Sequence, residues 1–196
     1  TDPGFKPDHI LTASFSLPDA RYSDRTQMGV FQQQLLARLA GMPGVESVGL
    51  TSDLPWTGYD ENAGFTVEGK TFPPHQSISA RYHSVSDDYF RTLGVPLLAG
   101  RYFNANDRPD STKVVLINQT MSERYWGGES AVGKRFTFAS QPKEDNWYTV
   151  VGVVGDVKDF PHSSVAVPAF YWALSQYPPA GVRDFLVAIK TKNDPL

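Results

Sequence analysis

No cysteine occurs in the 196 residues. That removes disulfide scaffolds, thiolate metal sites and cysteine nucleophiles together, and it fits an oxidising compartment without requiring one. Long apolar runs are missing too. No stretch approaches the roughly 18 apolar residues that a membrane-spanning helix needs, so nothing in this sequence crosses a bilayer in that way. No basic stripe exists either: 18 Lys and Arg are scattered against 21 Asp and Glu, for a net charge of −3. Nucleic-acid binding and docking on an anionic leaflet therefore have no electrostatic footprint here. His9, His75, His83 and His162 are dispersed. None pairs at the helical spacing of a metal site, so neither a metal nor a cofactor is expected. A Gly-x-Ser-x-Gly elbow is absent as well, which removes the common serine-hydrolase signature.

What is present can build a core. About 40% of residues are hydrophobic and 13% aromatic, while 16 Gly and 15 Pro point to many short elements joined by tight turns. Leu11, Ala13, Phe15 and Leu17 alternate, which predicts a half-buried strand over 9–17. A helix follows from about Asp24 to Ala40, capped by Ser23 or Asp24 and stopped by Gly41 and Pro43. Its apolar stripe is Met28, Phe31, Leu35 and Leu39. Strands are predicted at 45–51, 65–68, 78–85, 114–117, around Phe136 and Phe138, at 148–154, 169–174 and 185–190. A short helix to Leu93 is capped by Ser86 or Asp87 and ended by Gly94. A third runs from the Asn118 cap to Trp126 and closes at Gly127-Gly128. The sum is about nine short strands and three helices, an α+β fold with mixed sheets, in two lobes. Residues 95–112, rich in Pro, Gly, Asp and Asn, mark the best boundary between them.

Several segments resemble active sites and are explained more simply. Gly152 to Asp156 follows an apolar strand, yet lacks both the third glycine of a dinucleotide fingerprint and the Gly-Lys-Ser/Thr of a P-loop. A strand ending in a turn accounts for it. Asp60-Glu61, Asp87-Asp88 and Glu144-Asp145 are adjacent acids that point in different directions, unlike paired catalytic carboxylates. Asp87-Asp88, at a helix start, reads as capping. The loop 54–59 carries Trp56 and Tyr59 between Pro55 and Gly58. Exposed, these two aromatics would form a contact surface for a partner. Folded back, Trp56 would be a lid on its own lobe, which is the commoner fate of a loop tryptophan.

Four segments in order carry a family resemblance. The stretch 85–103 holds Tyr89-Phe90, a short helix, then Gly100-Arg101-Tyr102-Phe103. Residues 114–126 give a strand and helix, and 131–136 and 150–158 follow at the expected intervals. Together they resemble the MacB-like periplasmic core domain of bacterial ABC-transporter permeases, in the variant of the large permeases found in Acidobacteria. The resemblance spans about residues 9–192. It implies a porter-like β-α-β lobe of residues 1–95 and 165–196, with an inserted Sabre-like lobe of residues 96–164. It carries over no catalytic residues, and no enzymatic activity is expected.

The function this implies is an extracytoplasmic, periplasmic domain at the bacterial inner membrane. It would relay ATP-driven conformational change to cargo or a periplasmic partner during export or efflux. Its expected partners are the transmembrane remainder of the permease and an ATPase subunit or domain. Both ends of the sequence fall in polar segments that read as excised from a membrane protein, so transmembrane helices are expected beyond them. The alternative is a ligand-binding sensor with a cleft between lobes.

Overall fold

In the computed structural model, residues 3–18, 22, 24–53, 61–73, 78–158, 165–176 and 184–193 are described. Eleven strands form one mixed sheet: β1 (Ile10–Ser16), β2 (Val45–Thr51), β3 (Asn62–Gly64), β4 (Thr66–Val67), β5 (Ser79–Val85), β6 (Leu97–Gly100), β7 (Val114–Asn118), β8 (Arg135–Thr137), β9 (Tyr148–Val154), β10 (Ala169–Ala173) and β11 (Asp184–Thr191). Among the described residues three α-helices accompany them, α1 (Arg25–Ala40), α2 (Tyr89–Leu93) and α3 (Gln119–Trp126), with a 3-10 turn at Glu144–Asn146. The α+β class with mixed strand directions and short helices is as the sequence implies.

The strand order is β1-β11-β2-β5-β10-β7-β9-β8-β4, with β3 beside β5 and β6 beside β9. Parallel pairs occur where a helix intervenes, as between β7 and β9, or where long stretches separate the strands, as between β5 and β10. All other pairs are antiparallel. The chain closes on itself at one end, where β1 and β11 pair along seven registered residues from Ile10↔Lys190 to Ser16↔Asp184.

Side-chain alternation splits the core between the two faces. On one face, Val48 and Leu50 of β2 and Phe185, Val187 and Ile189 of β11 pack under Met28 of α1. Further along, Val115, Ile117 and Phe170 pack with Met121, Tyr125 and Trp126 of α3. The opposite face carries α2: Tyr89, Phe90 and Leu93 meet Val85, Leu116, Tyr171 and Ala188. Gly49 lets α2 approach, since a Cβ there would lie 2.7 Å from the Tyr89 Cα.

The buried stripe of α1 runs through Met28 and Gln32, with Phe31, Leu36 and Leu39 partly covered. Leu36, one position beyond Leu35, takes the inward place because i, i+4, i+8 from Met28 is the line that faces β2. Asp24 provides the cap, accepting from the Gln27 N–H at 2.9 Å. The cap of α3 is Asn118, whose Oδ1 accepts from Met121 N and Ala169 N while its Nδ2 donates to the Val167 carbonyl. One buried amide thus fixes a helix start to the head of β10. Two strands lie beyond the sequence reading, β3 and β6. Strand β6 occupies the turn-rich stretch 95–112 and pairs with β9.

Candidate functional site

The aromatic contact pair expected at Trp56 and Tyr59 lies outside the described residues, as do His75, His162 and Asp60. Of the remaining singled-out groups, Asp156 has a structural role. Its carboxylate accepts from the N–H and the hydroxyl of Thr120 at 2.9 and 2.8 Å, satisfying the first turn of α3. The Gly152 position is filled by close backbone approach, with Arg101 O only 2.3 Å from where a Cβ would stand. No group of three or more His, Cys, Asp or Glu that could hold a metal occurs among the described residues.

Two features do bring polar groups together. The first is the junction of β2 and β5, where the ladder consists of one registered pair, Thr51↔Val85. Just beyond it the buried Asp53 Oδ2 lies 2.7 Å from His83 Nδ1. His83 also stacks on Tyr171, at 5.5 Å and 24° between planes. Ser52 Oγ donates to Asp53 Oδ1 and accepts from Ser84 N, while Thr51 Oγ1 donates to the Asp53 carbonyl. Side chains thus reinforce a seam that has little backbone pairing. The sequence gives no hint of this pair, because its members are 30 positions apart.

The second feature is a cleft of about 920 Å³. Its walls are α1, the strand β2, the segment that leads into α2, and residues 174–176 with Pro109. Gln32 lines it from α1. This side chain is 4% exposed, and its Nε2 has no hydrogen-bond partner. Leaving such a donor unsatisfied costs about 1–3 kcal/mol. Asp87 lines the cleft from the other side, half-buried.

The capping role expected of Asp87-Asp88 is not what the structure has. Asp88 holds the N-cap position of α2 without a side-chain cap bond, and its carboxylate takes Arg91 at 2.7 Å. Ser86 Oγ accepts instead from Leu50 N across to β2. Asp87 is turned into the cleft, because the helix starts two residues later. Burial pushes the Asp87 carboxyl above its usual range, Asp107 and Asp88 add to this, and Arg91 and Arg101 oppose it. Asp107 differs although it too is buried. Burial raises it, but the two-pronged bond from Arg101 at 2.7 and 2.8 Å and the N–H of Asn104 outweigh that and hold it low.

A raised folded-state value means that Asp87 favours the folded chain below its unfolded value, about 3.9, and loses that contribution as pH rises through the folded value. Its carboxylate is therefore a burden at neutral pH. Asp87→Asn is expected to raise the urea midpoint at pH 7 relative to wild type, with the gain shrinking toward pH 4. A midpoint lowered at pH 7 would contradict the burial argument.

Comparison with known proteins agrees with the fold. A model of the family described as "MacB-like periplasmic core domain" matches residues 7–195. The periplasmic region of MacB from Actinobacillus actinomycetemcomitans superposes with a TM-score of 0.59 at 18% identity, covering 98% of this chain and 78% of that one. The extracellular domain of the noncanonic ABC-type transporter YknZ from Gram-positive bacteria gives 0.55 at 16% identity, covering 94% and 84%. In sequence, the macrolide export ATP-binding/permease protein MacB of Neisseria gonorrhoeae is 30% identical over 77 residues, or 39% of this chain. The match spans 11% of that relative's length.

Proposed function

Because the chain belongs to the family of MacB-like periplasmic core domains, we propose that it is the extracytoplasmic part of an ABC-transporter permease. In this reading it passes motion from membrane segments, driven by an ATPase subunit or domain, to cargo or to a periplasmic partner in export. It performs no chemistry itself. Among the described residues no helix is long and apolar enough to cross a membrane, so the membrane segments would belong to other parts of the protein.

The observation that carries this reading is the pairing of β1 with β11. Ile10 stands opposite Lys190, and Thr191 N donates to the His9 carbonyl at 2.9 Å. Membrane segments joined to the two ends would act together on one edge of one sheet. The porter-like lobe of residues 1–95 and 165–196 and the inserted lobe of residues 96–164 belong to the same proposal. In its favour, 96–164 supplies the adjacent strands β7, β9 and β8, with β6 alongside. A contact surface at Trp56 and Tyr59 is likewise proposed, and a partner whose binding survives Trp56→Ala/Tyr59→Ala removes it.

A mechanical relay requires stiff connections, which supplies the test. Flexible spacers of about eight Gly and Ser residues are inserted before residue 7 and after residue 192 of the whole permease. Transport by the reconstituted protein is expected to fall to background while ATP hydrolysis continues. Transport at the wild-type rate with both spacers in place would overturn the relay. Sensing of a ligand is the second reading, favoured by the cleft beside α1.

A further inference from the structure

Residues 3–6, ahead of β1, lie across the face that carries α2. Lys6 N donates to the Leu93 carbonyl at 2.8 Å, and the Pro3 carbonyl accepts from Lys158 N at 3.0 Å. Between them Phe5 packs, partly buried, on the α2 cluster. Gly4 has φ +86°, and a Cβ there would lie 1.9 Å from the Asp156 carbonyl oxygen, so a side chain fits only if the segment lifts. These few residues bridge two crossings of the chain: 93–96, where it passes into β6, and 155–158, where it leaves β9. Gly155 N donates to the Pro96 carbonyl at 2.8 Å and ties the crossings to each other. The Asp156 carboxylate reaches on to α3, where it accepts from Thr120 N, a first-turn donor with no acceptor inside its own helix.

The connection from this segment to β1 is slight. Residues 6–9 are exposed, and they make one turn, closed by Ile10 N on the Pro7 carbonyl at 3.2 Å with His9 at φ 60°. Beyond the turn, β1 is held to β11 by seven registered pairs. A small attached segment, an exposed turn and a well-paired ladder are the parts of a local opening that is easier than unfolding the sheet. We propose that residues 3–6 are a detachable strap. They swing about 7–9 and leave the domain while β1 stays paired with β11, and their release loosens Asp156 and with it the start of α3. On the relay reading, movement of the chain ahead of residue 3 draws the strap away; the opening itself needs no relay.

Native-state hydrogen exchange of the 196-residue chain at low denaturant, followed in 1H–15N spectra, provides the test. The Lys6 and Lys158 amides are expected to share one opening equilibrium. It should be at least about tenfold more populated than that of Leu50 in β2 or of Val187, which stands opposite Ala13 of β1. Gly4→Ala should raise exchange at Lys6, Lys158 and Thr120 together by about tenfold or more, with Leu50 and Val187 unchanged within roughly twofold. Phe5→Ser, which adds no clash to the backbone, should give the same pattern at smaller amplitude. The proposal is overturned if Lys6 and Lys158 open only with the sheet. It is equally overturned if either variant reaches Val187 as strongly as Lys158, or if Thr120 keeps its wild-type exchange once Lys6 and Lys158 are freed. Transport does not enter this measurement, so the strap and the relay fail separately.

Discussion

Replacing Phe170 with alanine is expected to lower the unfolding free energy by about 3–5 kcal/mol, a large part of what a domain of this size has. The ring is fully buried on β10, between a parallel neighbour, β5, and an antiparallel one, β7. Four aromatic rings surround it: Phe138 and Trp172 at 5.1 Å, Phe136 at 5.6 Å and Tyr82 at 5.9 Å. They come from β5, β8, β10 and the residue just past β8, so no single element can move in to fill the void. Phe170→Leu keeps most of the volume and should cost less than half as much. Urea unfolding at unchanged m-value measures both. A loss below about 1 kcal/mol for the alanine variant would mean that the cluster relaxes around the gap.

Asp53→Ala is expected to cost about 1.5–3 kcal/mol, the range for a buried hydrogen bond to a charged group. His83 would keep its buried position against Tyr171 with the Nδ1 partner gone, and Ser52 would lose its acceptor. The location makes the effect local as well as global. With Thr51↔Val85 the one registered pair between β2 and β5, amides at 51–53 and 83–85 should exchange faster than those of β11 and β9. A double-mutant cycle with His83→Gln separates the pair from its surroundings. Uniform acceleration across the sheet, or no loss of stability, would contradict a localised seam.

Much of this fold is legible in the sequence, for identifiable reasons. Tyr148–Val154 and Val45–Thr51 emerge with the bounds predicted, the first because a β-branched run between turn residues leaves few alternatives, the second because Gly41 to Gly44 end the preceding helix just before it. The third helix is equally plain, with Asn118 at one end and a left-handed Gly127 at the other. Strands β3 and β6 are too short for a period to register, and both contain Gly. The first strand forms where expected, but its burial does not alternate: residues 11–14 are all exposed, and of the expected inward face only Phe15, half-buried, and Leu17, buried, are covered. Leu11 is 42% exposed at this sheet edge, where β11 is the one neighbouring strand. Site features fare worse. Asp53 meets His83, and Gln32 meets the space beside Asp87, through strand order alone, which no local pattern encodes. Reading Asp87 as a cap failed because a cap depends on which residue first turns helical, a matter of one position.

The pairing of β1 with β11 has a consequence for how load can pass through the molecule. The entry of β1 and the exit of β11 lie at the same end of an antiparallel ladder. Drawing those two ends apart would strain the rungs one after another, from Ile10↔Lys190 inward, so the edge would peel at low force like a zipper. Moving them together would leave those rungs without relative load and carry the sheet as a body. A membrane motor joined at this edge can therefore push, tilt or twist the domain effectively only while its two attachment points travel in step.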